Sequence, residues 1–365
     1  ATISTVEHGL QAAEQLGYPL MVRPSYVLGG RDMQVVYTAT ELQNYLTIAF
    51  AKAKKYPVLI DCFLQQAIEI DVDIIADGQG GALVVGVMEH VEPAGVHSGD
   101  SAACLPPHSL SKQLQNSLEI QARNIALALK INGLMNIQFA VQEQEIYILE
   151  VNPRASRTVP FVSKAIGWSV AKAAVACMLG KTLKQQNISL NKHTGLFAVK
   201  QSVFPFIKFA GADPLLGPEM RSTGEVMAFG DSFAAAYKKS LLAAGACPIR
   251  FPAAVYIDLA ETDQHEYDNL KLACINLGFT VLTDFDLTIT KLVISTVFAQ
   301  PRLVAAQQIR ATAVRHRINL CTTVAGAWAV LQGLELKTES SLEVYKLQNT
   351  HLMGEVNPSI TLVAG

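Results

Sequence analysis

Up to about Gly230 the hydrophobic pattern of this chain mostly has a period of two; beyond it, helical and strand periods take turns. Val6, Leu10, Ala13 and Leu16 share one helical face, opened by Ser4-x-x-Glu7 as a capping box and stopped by Gly17. Residues 19–23 form a short apolar strand, broken by Pro24 and followed by the Gly29-Gly30 loop. Thr38 and Glu41 make a second capping box, for a helix running toward Lys54, and 58–61 is a strand. Ile68, Ile70, Val72 and Ile74 then alternate with Glu69, Asp71 and Asp73, a strand with one buried and one acidic face. Asp77-Gly78 and Gly80-Gly81 turn the chain into an apolar strand over 83–91. Leu114, Leu118, Ala122, Ile125 and Leu129 predict a helix stopped before Gly133. Strands outnumber helices and pair through hairpins, so this part reads as α+β.

Past Gly230, Asp231 opens a helix to Gly245, 253–259 is a strand, and 263–277 is a helix ended by Gly278. Strands at 279–283 and 292–297, a helix at 303–315, a strand at 318–322 and a helix at 325–331 follow. Successive βα units of this size predict a small, doubly wound parallel sheet. Residues 203–225, rich in Pro and Gly, are the best linker candidate. Met88, Met135 and Met178 read as core, and Trp168 and Trp328 as single aromatics on helical segments.

The candidate chemistry begins at a hairpin. Two alternating arms, Gln138-Phe-Ala-Val and Ile146-Tyr-Ile-Leu-Glu-Val-Asn152, rise to the polar turn Gln142-Glu143-Gln144-Glu145. With the turn centred on Gln144, Gln138 lies opposite Glu150, and Asn152 shares its face. A carboxylate between two amide oxygens suits a hard cation such as Mg²⁺ whose remaining ligands are phosphate oxygens and water. Arg154 and Arg157, just past Pro153, are placed to clamp anionic oxygens. The plain alternative is an ordinary hairpin with a wet polar face. Arg23, Gly29, Gly30 and Arg31 surround a loop whose amides could approach a polyphosphate, or which is simply a tight turn. Glu69 reads equally as part of a solvated face shared with Asp71 and Asp73. His97, in Gly95-Val96-His97-Ser98-Gly99-Asp100-Ser101, lacks a nucleophile-elbow context; an isolated loop histidine is more often structural.

These segments also carry a resemblance. Leu149-Glu-Val-Asn-Pro-Arg154, with Arg157-Thr-Val-Pro-Phe161 behind it, resembles the metal-binding end of an ATP-grasp enzyme. With Val22-Arg-Pro-Ser-Tyr-Val-Leu-Gly-Gly-Arg31 and the Gly95–Ser101 loop, the resemblance narrows to large subunits of carbamoyl phosphate synthetase. It is nearest to their second, C-terminal synthetase half, because the chain runs past Pro214-Leu-Leu-Gly-Pro-Glu-Met-Arg-Ser-Thr-Gly-Glu-Val226 into a terminal α/β module. The implied architecture is an N-terminally truncated ATP-grasp fold over 1–205, a connecting segment and helix over 206–244, and a methylglyoxal-synthase-like regulatory domain over 245–365.

The resemblance also implies roles. Arg23 contacts nucleotide phosphate and Gly29-Gly30 is a flap over ATP; Leu64 meets adenine through its backbone, and Glu69 binds the ribose hydroxyls. Gly95, Val96, His97 and Ser98 lie at the nucleotide, with His97 a ligand and not a base. Gln138, Glu150 and Asn152 hold Mg²⁺ or Mn²⁺, while Arg154 and Arg157 serve the acceptor. Asp100 and Glu92 fall beside an amino-acid effector pocket. The implied reaction is ATP plus carbamate to ADP plus carbamoyl phosphate, for pyrimidine and arginine synthesis. The implied partners are a glutaminase small subunit and the N-terminal part of the large subunit, whose absence would leave the isolated fragment inactive. The alternatives are another ATP-grasp carboxylate–amine ligase and a non-catalytic regulatory or interaction fragment. Three positions depart from the family. Cys62 stands where relatives often have His, Gln201 where they have an acid, and Asp284-Phe-Asp286-Leu where a Thr/Gly phosphate loop is expected. Carboxylates there would repel a nucleotide phosphate, with Lys291 offsetting only part.

Composition narrows the class further. At 365 residues and net charge −2, the chain is long enough for two or three domains and carries no polybasic footprint for nucleic acid or membrane. No apolar run approaches the roughly 20 residues of a bilayer span, and the start reads as a capped helix, so the expectation is a cytoplasmic protein. Its six scattered cysteines fit reduced thiols and neither disulfides nor zinc.

Overall fold

The computed structural model describes residues 1–25, 32–52, 56–188, 195–209, 211–298 and 301–336. The first unit holds strands β1 (Thr2–Ile3), β2 (Leu20–Pro24), β3 (Gln34–Val36) and β4 (Val58–Cys62), with helices α1 (Val6–Leu16) and α2 (Ala39–Lys52). The strands form an antiparallel sheet in the order β1-β4-β2-β3 with its own core, in which Leu20, Val22, Leu42, Leu46 and Ile60 are fully buried. Thr38 caps α2 as expected, accepting from Glu41 N, while Glu41 reaches back to Tyr37 N. The cap of α1 is Thr5, which accepts from His8 N at 3.2 Å, so Ser4 and Glu7 do not form the expected box.

The second sheet is larger. Its strands are β5 (Ile68–Asp77), β6 (Ala82–Pro93), β7 (Ala103–Leu105), β8 (Asn132–Gln142), β9 (Glu145–Asn152), β10 (Phe197–Val203) and β11 (Gly224–Gly230). They run antiparallel in the order β11-β10-β7-β6-β5-β8-β9. Helix α3 (Lys112–Ala128) covers one face, setting Leu118 and Ala122 against Ile70, Val72 and Phe139. Helices α4 (Val159–Ile166) and α5 (Val170–Met178) cover part of the other, against Ile75, Val85 and Met88. The hydrophobic pattern over 159–178 does not announce these two helices. They are short, with apolar residues on nearly every face and so no clear helical period, and burial against the sheet stabilises them. Met178 is 58% exposed, not core, because it ends α5 beside Gly133, and Trp168 lies in the turn between α4 and α5.

The segment expected to be a connection contributes to this body. β11 pairs along the whole of β10, and α6 (Phe233–Ala243) packs on both. Ser232, not Asp231, is its N-cap, accepting from Ala235 N.

The third sheet is wholly parallel, order β13-β12-β14-β15, from β12 (Ala253–Asp258), β13 (Phe279–Leu282), β14 (Thr290–Ser295) and β15 (Asn319–Cys321). Helices α7 (Tyr267–Leu277), α8 (Leu303–Arg315) and α9 (Val324–Glu335) complete this unit, as the alternating pattern predicted. Between β13 and β14 the chain crosses without a helix. There Asp286 is used locally, its Oδ1 accepting from Thr288 N and Oγ1 and its carbonyl from Thr290 N, and Asp284 accepts from Thr283 Oγ1 at 3.3 Å. Helix α9 packs on α6 and β6, joining the parallel unit to the large sheet.

Candidate nucleotide and metal site

The hairpin pairs Gln138 with Glu150 and Asn136 with Asn152, so the expected facing pair is present. The route to it differs from the one inferred. The turn is a two-residue loop of Glu143 and Gln144 at φ of 50° and 74°, a conformation that suits tight hairpins but is strained for residues with a Cβ. That turn pairs Gln142 with Glu145 and would set Gln138 against Leu149. A bulge between Gln138 and Phe139 absorbs one residue and restores the pair with Glu150.

Around this pair lies a polar face that periodicity described only in part. β5 aligns Asp71 with Gln138 and Asp73 with Asn136, so Glu69, Asp71, Asp73, Asn136, Gln138, Glu150 and Asn152 share one side of the sheet. Glu69, Asp71 and Asp73 are no more than 5% exposed, which corrects their reading as a solvated face. The covering is the Gly95–Ser101 loop together with the start of α4. Ser156 Oγ and Thr158 Oγ1 donate to Asp73 at 2.8 and 2.6 Å, and Asn136 Nδ2 donates to Asp71 and Asp73 at 3.1 and 2.9 Å.

The electrostatics of this buried set are uneven. Burial pushes Glu69 up to about 7, with His90 opposing and Asp71 adding to the rise. Burial likewise pushes Asp73 up to about 6, against its three hydrogen bonds. Asp71 also feels burial, but the His90 hydrogen bond at 2.9 Å, the His90 charge and the Asn136 amide outweigh it and hold its carboxyl below the usual range. Burial opposes protonation of His90, yet Asp71 and Glu69 raise it. Lys200, on β10, is 2% exposed and lowered by burial; its Nζ donates to Ser98 O at 3.2 Å. Sequence reasoning missed His90, Asn136, Thr158 and Lys200. The signal available was parity: Asn136 is two residues from Gln138, and Asp71 and Asp73 lie in step with Glu69.

The Gly95–Ser101 loop comes down onto this face. Gln138 Nε2 donates to Ser98 Oγ at 3.0 Å, leaving the amide oxygen as the free acceptor, the orientation a cation ligand needs. Burial lowers His97 below its ordinary value, and its Nδ1 accepts from Gly99 N at 3.0 Å. The neutral ring then carries its proton on Nε2 and acts as a donor, which suits a ligand role. Gly95, at φ 107°, packs on the Phe63 ring, where a Cβ would come within 2.9 Å of a ring carbon. Asp100 has both oxygens filled by Arg221 N and Ser222 N at 2.8 Å, and Glu92 accepts from Ala102 N at 2.7 Å. Gln201 Oε1, by contrast, is buried with no hydrogen-bond partner among the described residues.

Past β9, Arg154 donates to Asn152 Oδ1 at 3.2 Å and Arg157 lies against the Met220 sulfur, so both expected guanidinium groups stand near the hairpin end. Leu64 is half-buried against Ala67, Ala94 and Ala140 in the connection between the small and large sheets. Arg23 stands on β2, in an ion pair with Asp61 at 3.2 Å. Gly29, Gly30 and Arg31 fall outside the described residues. Among the described residues no three His, Cys, Asp or Glu side chains gather as a metal cage. The Glu150 carboxylate and the free Gln138 oxygen, with an Asn152 oxygen that already accepts from Arg154, form a sparse set that fits a Mg²⁺ ion taking most of its shell from phosphates and water. Among these residues, too, no single helix is long and apolar enough to cross a membrane.

Comparison with known proteins gives likenesses of fold and of sequence. Of solved structures, biotin carboxylase in its β-γ-ATP complex from Campylobacter jejuni superposes with a TM-score of 0.53 at 17% identity, over 66% of this chain and 60% of that one. The biotin carboxylase domain of Hydrogenobacter thermophilus 2-oxoglutarate carboxylase, in complex with MgADP, ADP and bicarbonate, gives 0.52 at 15% identity over the same shares. At such identities the likeness is one of fold. The carbamoyl phosphate synthase large chain of Neisseria meningitidis serogroup B is 44% identical over 376 residues, 94% of this chain and 35% of its own. That of Myxococcus xanthus is 44% identical over 370 residues, 93% of this chain and 34% of its own. The chain thus spans about a third of the length of the curated relatives it matches. A family model described as carbamoyl-phosphate synthase L chain, ATP binding domain, matches residues 1–186, the stretch that holds the small sheet, the Gly95–Ser101 loop and the Gln138–Glu150 pair, and the chain belongs to that family.

Proposed function

We propose that this chain is the carbamate-phosphorylating part of a carbamoyl phosphate synthase large chain. It would bind MgATP between the small sheet and the Gln138–Glu150–Asn152 edge of the large one and transfer the γ-phosphoryl group to carbamate. The observation that carries this reading is the pairing of Gln138 with Glu150 beside Asn152 and under the Gly95–Ser101 loop, within a stretch matched by the ATP-binding family.

Phosphoryl transfer asks a protein for alignment and charge neutralisation more than for covalent help. Glu150, Gln138 and Asn152 would hold Mg²⁺, whose role when bound is to neutralise charge on the β- and γ-phosphates. Mn²⁺ would serve the same oxygen set. Arg154 and Arg157 would orient the anionic acceptor and meet the charge developing on it. His97, neutral with Nε2–H outward, would donate to the nucleotide, as would the amides of Gly95, Val96 and Ser98. Arg23 and the amides of Gly29 and Gly30 would serve the phosphates, with Leu64 and Glu69 on the adenosine. Carbamate decomposes in water, so a covered site rich in arginine is chemically apt.

In this reading residues 1–205 act as the nucleotide-binding part, 206–244 as the join, and 245–365 as a methylglyoxal-synthase-like regulatory unit. The partners would be the rest of the large chain and a glutaminase small subunit supplying ammonia, in the cytoplasm. The 365-residue chain alone would not sustain carbamoyl phosphate synthesis. Glu150→Gln, which removes the only formal negative charge among the three ligands, tests the assignment. In the full-length large chain it should abolish Mg²⁺-dependent ATP formation from carbamoyl phosphate and ADP. Near-normal turnover would remove Glu150 from the metal.

A further inference from the structure

An ion pair from α8, supported by Gln307 of the same helix, ties the parallel unit to the segment that holds the nucleotide loop. Arg310, on α8, is fully buried, and Nε and Nη2 donate to the two oxygens of Asp213 at 2.7 Å each. Its remaining nitrogen, Nη1, donates to Ser295 Oγ at 3.2 Å, at the end of β14, and to Val297 O at 2.8 Å just past it. Every guanidinium nitrogen is thereby engaged, and the fork is held by the parallel unit and aimed outward at Asp213.

Asp213 begins a strap, residues 213–223, that runs from this pair to the Gly95–Ser101 loop. Its first turn is closed by Leu215 N on Asp213 Oδ1 at 3.2 Å, and Arg221 Nη1 returns to Asp213 O at 2.9 Å. The strap then grips the loop at three points. His97 N donates to Gly217 O at 2.8 Å, Arg221 N and Ser222 N each donate to Asp100 at 2.8 Å, and Ser222 Oγ donates to Gly99 O at 2.9 Å. The far side of the same loop carries Ser98, whose hydroxyl accepts from Gln138.

We propose that Arg310 and Asp213 are positioning residues for the nucleotide site, anchoring the 213–223 strap to the parallel unit so that it holds the Gly95–Ser101 loop over Gln138. The physical reason is economy of ties. A strap rich in Pro and Gly has little secondary structure of its own, so its path depends on how its ends are fixed. One end is the start of β11, with Thr223 N on Val203 O, and the other is the Asp213 carboxylate. A carboxylate gripped by both arms of a buried guanidinium has one orientation; a neutral or single-point partner leaves several. The proposal deepens the nucleotide-site reading and rests on it for its consequence on MgATP, but not for its consequence on the loop.

The test compares wild type, Asp213→Asn, Arg310→Lys and the Asp213→Asn/Arg310→Lys double variant in the full 365-residue chain, by peptide-resolved hydrogen exchange and by MgATP titration. Amides of 95–101 and 213–223 should exchange about tenfold faster or more in each single variant, while those of β5, β8 and β12 keep wild-type rates. The effects should be strongly non-additive in the double variant. MgATP affinity should fall about tenfold in parallel. If loop exchange stays at the wild-type rate in Asp213→Asn and Arg310→Lys, the anchor does not position the loop. If every region speeds up together, the pair is merely structural and the proposal is equally overturned. Failure of the full-length large chain to bind MgATP would refute the nucleotide reading alone, because the exchange arm decides the positioning role without it.

Discussion

Glu69→Gln is expected to stabilise the fold at neutral pH and not at acid pH. The Glu69 carboxyl is 5% exposed, and burial raises it from 4.5 to about 7, with His90 at 3.8 Å only partly compensating. A carboxyl whose folded value lies above its unfolded one is protonated more readily in the native state. Stability therefore declines as pH rises between the two values. Below about 4.5 both states hold the proton and nothing is lost; above about 7 both have released it and the loss is complete. At about 1.4 kcal/mol per pH unit, the full cost of ionising Glu69 is about 3 kcal/mol. Glutamine keeps the shape and an acceptor for the Gly95 amide but never ionises. Its weaker attraction for His90⁺ trims the gain, and Asp71 still holds that ring at 2.9 Å. We therefore expect Glu69→Gln to gain about 2 kcal/mol at pH 8 and close to nothing at pH 4.5. Urea unfolding of both proteins at the two pH values measures it. A variant no more stable than wild type at pH 8, or one with the same gain at both pH values, would refute the reasoning. A buried acid that destabilises its own fold is a cost consistent with a role in binding, and the same substitution should weaken nucleotide affinity.

Three further outcomes follow from packing and backbone. Phe139→Ala, at a fully buried position where β8 faces α3, should cost about 3–5 kcal/mol in urea unfolding with an unchanged slope; a loss under about 1 kcal/mol would mean the site collapses freely. Gly230→Ala sets a Cβ about 2.5 Å from the Ala236 backbone nitrogen, so it should destabilise the β11–α6 corner, read as faster exchange of α6 amides, and wild-type exchange there would contradict the contact. Gln144→Gly relieves a side chain held at φ 74° in the hairpin turn; it should raise the thermal midpoint, worth about 0.5–1 kcal/mol, and a lowered midpoint would show that the turn geometry is not strained.

Much of the local structure was written in the residues. Helix and strand periods located α8 at Leu303–Arg315 and the parallel strands near their observed bounds, because each buries one regular stripe. The Thr38–Glu41 box and the left-handed glycines at 17 and 278 fixed helix ends through short-range hydrogen bonds that the sequence states directly. The residues 138, 150 and 152 were legible as a group because strand parity and a polar turn are local facts.

What depended on the tertiary structure was whatever required a partner far along the chain. Parity could mark Glu69, Asp71 and Asp73 as one face, but burial arrives only with Ser156, Thr158, His90 and the Gly95–Ser101 loop, so an acidic stripe that reads as solvated carries raised values for Glu69 and Asp73. Counting residues could not reveal that a bulge, not the turn centre, sets Gln138 against Glu150. The Pro- and Gly-rich stretch after Val203 reads as a linker because its own pattern has no period. It becomes a strap through Asp100, Arg221 and Arg310, whose separations in sequence exceed any local pattern. Local propensity and periodicity act over a few residues, whereas dielectric environment and long-range pairing exist only once the sheets have closed over one another.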